Sequence, residues 1–168
     1  MIKQSVQDAI NSQIVREVFS SNLYLSMAAY FASQSLNGFA SWMRIQAQEE
    51  MTHALKFFDY LLARNANPVI GAIDAPQISW GSPLEAFEDA LNHERKVTNW
   101  INELVDLAIN EKDHATNAML QWFVNEQVEE EDNTSMIVDK LNLVGNNTQG
   151  LFMLDNELGS RTATNNSL

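Results

Sequence analysis

The segment Glu50-Met51-Thr52-His53 sets a carboxylate and an imidazole three residues apart. On a helix that spacing puts both on one face, where they can share a metal ion. Read alone, such a pair is more often a surface Glu–His contact. Here it has company. Glu17, Glu94, Gln127 and Glu130 fall near the middle of three other stretches, at positions where a helical pattern calls for apolar side chains. A buried carboxylate is strongly unfavourable unless it pairs or binds a cation. No Lys or Arg occupies the same turns of these stripes, so a metal is the economical explanation. Carboxylate di-iron sites in helical bundles take one Glu from each of two helices plus E-x-x-H pairs. Glu17 and Glu94 can supply the single carboxylates, while Glu50 bridges and His53 serves one metal only. A second E-x-x-H is missing, because Val97 follows Glu94 by three and Glu130 follows Gln127 by three. The expected site is therefore asymmetric. Oxygen-rich ligation with one imidazole suits Fe(II), Mn(II) or Zn(II), and iron makes redox use of it. Tyr24 lies seven residues after Glu17 on the same face. Its phenol could hydrogen-bond a ligand or donate an electron; by itself it reads as a core tyrosine. His93 and His114 have no partner pattern and read as surface residues. Trp42 and Trp122 read as packing residues.

Four long helical stretches must position these groups. The first runs from about Ser5 to Ser33, with the stripe Ile10, Ile14, Glu17, Ser21, Tyr24, Ala28, Phe31, and is broken by Leu36-Asn37-Gly38. The second runs from about Phe39 to Ala66, with Met43, Gln46, Glu50, His53, Phe57 and Tyr60 in line. The third starts at Ser82-Pro83-Leu84-Glu85, where a Ser cap, an early Pro and a Glu at the third helical position form a start signal, and ends near Asn110. The fourth runs from about Asp113 to Val144 and stops at Gly145. A short amphipathic piece, Leu151 to Leu158, follows. Residues 1–158 are expected to form one domain and 159–168 a polar, disordered tail. Short joints make the first and second stretches antiparallel neighbours, and likewise the third and fourth. The joint from Asn67 to Gly81 can reach ~50 Å when extended, against a helix length of ~42 Å. It can cross the whole bundle, so the second and third helices can run parallel. The fold expected is all-α: a four-helix bundle with a long crossover between helices two and three and a short fifth C-terminal helix.

The bulk properties agree. The 168 residues suffice for one domain with a real core. A net charge of −12 repels nucleic acid and anionic membrane surfaces and suits a cationic ligand. The absence of cysteine excludes disulfides, thiolate metal sites and cysteine nucleophiles. No apolar run is long enough to span a bilayer and the N-terminus carries no signal stretch, so a cytoplasmic location is expected.

Taken together, Arg16-Glu17, Tyr24-Leu25-Ser26-Met27-Ala28, Gln48-Glu49-Glu50-Met51-Thr52-His53-Ala54, Asn92-His93-Glu94 and the run from Trp122 to Glu131 resemble the bacterial non-haem ferritins, from Ser5 to about Leu158. The resemblance implies a ferritin-like bundle and a ferroxidase centre that oxidises Fe(II) with O2 or H2O2. It places one iron on Glu17, Glu50 and His53. A second iron is implied on Glu50 and Glu94 with Gln127 nearby, and Tyr24 stands beside the centre. It also implies a third, inner iron site on Glu49, Glu126, Glu129 and Glu130, which would otherwise read as a solvated acidic face with Glu131. Self-assembly into a hollow 24-subunit shell holding ferric mineral follows from the same resemblance, with the fifth helix at the fourfold axis. The single E-x-x-H sets the chain apart from haem-binding relatives, so no haem is expected. Two other functions compete: a cage that sequesters metal without turnover, and a structural bundle with a self-satisfied polar layer. The full set Glu17, Glu50, His53 and Glu94 favours oxidation, and the lack of buried bases disfavours the structural reading.

Overall fold

The computed structural model describes residues 2–163, and all secondary structure among them is helical. Helix α1 spans Gln4–Ser33, α2 Asn37–Ala63, α3 Pro83–Asn110, α4 His114–Val144 and α5 Thr148–Gly159. The helix ends follow from local chemistry. Ser82 caps α3, its hydroxyl accepting the Glu85 N–H at 3.1 Å with Pro83 in the first turn, and Asp113 caps α4 through the Thr116 N–H at 3.1 Å. At the C-termini of α1, α2 and α3 the chain turns through positive φ at Ser35, Asn65 and Lys112. The next residue in each case, Leu36, Ala66 or Asp113, returns its N–H to the carbonyl of Phe31, Leu61 or Ala108, which satisfies carbonyls left open by the last turn. Gly145, at φ 52°, ends α4, its N–H bonding to the Leu141 carbonyl at 3.0 Å.

Cross-helix contacts fix the topology. Ser21 donates to the Ala47 carbonyl at 2.7 Å and Phe31 stacks on Phe39 at 5.0 Å, so α1 and α2 are antiparallel. Tyr24 meets Glu94 and Phe31 meets Phe87 between α1 and α3. Gln46 meets Glu130 and Phe57 meets Phe123 between α2 and α4. In each pair one residue number rises as the other falls. Neighbours are therefore antiparallel, and the diagonal pair α2 and α3 runs parallel. The connection over 64–82 makes this possible by lying along α1: Gln7 donates to the Asn67 carbonyl at 3.2 Å, Asn11 accepts the Val69 N–H at 2.9 Å, Ser26 donates to the Gln77 carbonyl at 2.6 Å, and Trp80 packs on Tyr30. The expected crossover bundle is what the chain forms.

The break expected at Leu36-Asn37-Gly38 is narrower than its sequence suggests, because Asn37 and Gly38 already belong to α2. Helix α2 has no side-chain cap of its own. Asp155 of α5 supplies one, its Oδ1 accepting the Gly38 and Phe39 N–H groups at 2.8 and 3.0 Å. Gly38 is required by this approach: a Cβ there would stand 1.7 Å from the Asp155 carbonyl oxygen. The polar tail expected from residue 159 begins with Gly159 ending α5 and Arg161 packed on Trp42; residues 164–168 lie outside the described residues.

The core is two clusters. One, around Tyr24, Phe31, Phe39, Trp42 and Phe87, fills the end of the bundle near α5. The other, around Ile10, Ile14, Phe57, Leu61 and Phe123, fills the opposite end. Burial of each such side chain contributes about 1.5–3 kcal/mol. Between the clusters lies a buried polar layer made by Gln13, Glu17, Ser20, Gln46, Glu50, His53, His93, Glu94, Gln127 and Glu130.

Candidate metal centre

The polar layer draws on all four long helices. Each contributes from the middle of its buried stripe, where the flanking aromatic clusters exclude water. Glu17, Glu50, His53 and Glu94 are each 1% exposed. Three groups of side chains bring potential ligand atoms within 4.8 Å of one another: Glu17, Glu50 and His53; Glu50, Glu94 and Glu130; and His53, Glu126 and Glu130. Glu50 is common to the first two groups, as a bridging carboxylate must be. His53 turns Nδ1 to Glu50 Oε2 at 3.3 Å and Nε2 toward Glu126 at 3.8 Å. One nitrogen can thus ligate while a carboxylate orients the other.

Two buried polar atoms among the described residues lack any hydrogen-bond partner, Glu17 Oε2 and His53 Nε2. Buried groups of this kind are nearly always satisfied. That both orphans belong to the ligand groups shows that the donor set fits a cation. Other carboxylate oxygens of the layer accept hydrogen bonds. Gln13 donates to Glu17 Oε1 at 2.7 Å. Gln46 donates to Glu50 at 3.0 Å and to Glu130 at 2.7 Å. Tyr24 donates to Glu94 Oε1, and Gln127 to Glu94 Oε2 at 3.2 Å.

The electrostatics are those of a site that favours a cation. Burial, reinforced by the charge of Glu50, pushes Glu17 and Glu94 up to about 8. The same causes raise Glu130 well above the carboxylate range. Burial also works against ionised Glu50, but the charge and hydrogen bond of His53, with Gln46, more than offset it and hold Glu50 below its ordinary value. Burial opposes a charged His53, yet the facing Glu50 and Glu126 raise it well above the usual imidazole range. Burial and the charge of Glu94 raise the Tyr24 phenol well above its ordinary value. Protons thus stand in for positive charge, and metal entry must displace them.

The sequence-derived residues are placed unevenly. Glu17, Glu50, His53, Glu94, Gln127 and Tyr24 come together in the layer. Glu130, expected at an inner site, is buried with Glu50 and Glu94 and also reaches the His53–Glu126 group. Glu49 is half-buried and paired with Arg161 at 2.5 Å. Glu129 is exposed, belongs to none of the three groups, and lines a surface groove between α3 and α4 with Thr98 and Glu131. His114 is exposed. His93 is not the surface residue expected. It is 5% exposed, 2.7 Å from the Ser20 hydroxyl, and packed among Phe19, Tyr24 and Trp100; burial lowers its pKa. The spacing Ala90, His93, Val97 would have placed it on the buried face. Gln13, one turn before Glu17, is a further buried member of the layer.

The fold and this carboxylate-lined layer are those of a four-helix bundle with a candidate metal site, and comparison with known proteins gives the family. A Ferritin-like domain model matches residues 7–144. A bacterial non-haem ferritin of Bacteroides fragilis is 47% identical over 161 residues, covering 96% of this chain and all of the relative. One from Staphylococcus aureus is 37% identical over 162 residues, covering 96% and 98%. Among solved structures, an open-pore ferritin of the hyperthermophilic archaeon Archaeoglobus fulgidus superposes with a TM-score of 0.96 at 48% identity, covering 96% of this chain and 99% of the other. A form of the A. fulgidus ferritin engineered to be closed gives 0.96 at the same identity, covering 98% and 100%. The chain therefore belongs to the ferritin family. Family and fold together make it an iron-storage ferritin subunit.

Proposed function

We propose that the chain is a ferroxidase subunit of the bacterial non-haem type, oxidising Fe(II) in the polar layer and passing Fe(III) to a mineral store. The observation that carries this reading is the pair of orphaned buried ligand atoms, Glu17 Oε2 and His53 Nε2, inside overlapping ligand groups joined by Glu50. One Fe(II) is taken by Glu17, Glu50 and His53. The other is taken by Glu50, Glu94 and Glu130 with Gln127 beside it. Two Fe(II) supply the two electrons that, with two protons, reduce O2 to H2O2, or H2O2 to two waters; protons displaced from the raised carboxylates on metal binding are one source of them. Tyr24 holds Glu94 by its hydroxyl and stands close enough to be an electron donor. A third, inner site, drawn from Glu49, Glu126, Glu129 and Glu130 with Glu126 and Glu130 as the pair already grouped with His53, would receive the oxidised ion. The subunit assembles into a 24-mer shell, acts in the cytoplasm and binds no haem; residues 1–158 form its ferritin-like domain.

The test is aerobic Fe(II) addition followed in the near ultraviolet, with sedimentation to size the assembly. Wild type should oxidise Fe(II) rapidly to a soluble product. Glu17→Ala and Glu50→Ala should lose the fast phase by about 10-fold or more while keeping their helical circular dichroism. Unchanged initial rates in both variants would remove the di-iron assignment. Slow oxidation with precipitation in the wild type would leave a cage that binds metal without turnover.

A further inference from the structure

We propose that Arg161, beyond the last helix, is a positioning residue for the metal centre, acting through Gln46. The inference rests on the reading of the polar layer as a metal site and adds a residue to it. Gln46 is 1% exposed and lies one turn before Glu50. Its amide nitrogen donates to Glu50 at 3.0 Å and to Glu130 at 2.7 Å. Both N–H groups are therefore spent on carboxylates of the ligand groups. The amide oxygen accepts from the Arg161 guanidinium at 2.9 Å.

These partners leave the amide one orientation. Arg161 can only donate, and the Glu50 and Glu130 oxygens that Gln46 faces accept from its nitrogen. With Arg161 in place, the Gln46 oxygen must face it and the nitrogen must face Glu50 and Glu130. Without Arg161, the buried oxygen loses its donor and the amide is free to flip, turning a lone pair toward the carboxylates.

The guanidinium is itself held by two further contacts. It lies 4.4 Å over the Trp42 ring, a favourable cation–π arrangement. It pairs with Glu49 at 2.5 Å. The segment carrying it is anchored two turns earlier, where Asp155 caps α2. The C-terminal segment is thereby connected to Glu50, the carboxylate shared by two ligand groups, through one side chain.

The experiment is a Co(II) titration of the assembled protein, read by the visible d–d bands and by calorimetry. Arg161→Ala and Gln46→Ala should each weaken Co(II) binding by about 10-fold, with altered bands. The double variant should lose no more than either single one, because both remove the same connection. Lys140→Ala, which breaks the neighbouring Lys140–Glu157 pair, should bind Co(II) as wild type does; weakening there as well would assign the effect to loosening of α5 and overturn the proposal. Wild-type affinity and bands in Arg161→Ala, or losses that add in the double variant, would also overturn it. Glu50→Ala separates the two readings. If it abolishes the bands, the metal site stands and only the Arg161 connection is at stake. If Glu50→Ala binds as wild type does, both fall.

Discussion

Each carboxylate of the polar layer is a titration problem as well as a ligand. Glu17 and Glu94 are raised from 4.5 to about 8, so the metal-free folded chain holds protons there that the unfolded chain has lost. Their contribution to stability is fully present below pH 4.5 and is lost as pH rises through about 8. Raised His53 acts in the same sense, and Glu50, held low, acts oppositely on the acid side. Metal-free protein should therefore melt several degrees higher at pH 5.5 than at pH 8.5, given that about 1 kcal/mol moves Tm by roughly 2–4 °C in a chain of this size. Scanning calorimetry checks this, and Glu17→Gln with Glu94→Gln should flatten the slope. A slope of opposite sign would mean the layer is not held by protons. His53 carries a second expectation. It belongs to the Glu17–Glu50 group, while the Glu50–Glu94–Glu130 group is all carboxylate. His53→Ala should weaken one of two metal-binding steps by about 10-fold or more and leave the other nearly intact; equal losses in a titration would contradict it. Glu17, Glu50, His53 and Glu94 were legible because they break apolar stripes. Arg161 was not, because its partners lie more than a hundred positions away and no local pattern points to them.

Among the elements, the helices read well from periodicity and the joints less so. Ser82-Pro83 announced α3 correctly, since a cap is local chemistry. Asn37-Gly38 misled, since its meaning is tertiary: the glycine serves the close pass of α5. Gly38→Ala would improve helix propensity by up to ~1 kcal/mol in isolation. Here it should destabilise, because the Asp155 backbone must move and α2 loses its borrowed cap, typically worth ~1 kcal/mol. The expected outcome is a lower Tm, and the measurement is thermal unfolding beside Gly71→Ala, where a Cβ meets only ordinary contact at 3.6 Å. An unchanged Tm would show that α5 yields freely.

At the scale of the whole molecule, all four long helices pass through a waist of polar groups between two apolar clusters. Helices usually open from their ends, and amides at the centre exchange last. This bundle should invert that order when metal-free. Its least cohesive cross-section is the middle, where side chains are held by shared protons and hydrogen bonds, not by close apolar packing. Amide hydrogen exchange followed by mass spectrometry should show the peptides over 13–21, 46–53, 94–98 and 127–130 exchanging faster than the flanking turns. Bound metal should reverse this by tying the four helices at their midpoints. End-to-centre exchange in the metal-free protein would show that the hydrogen-bonded layer is already as cohesive as the cores on either side. If the inversion holds, the ion is a mechanical rivet as well as a substrate, and the subunit breathes where its chemistry happens.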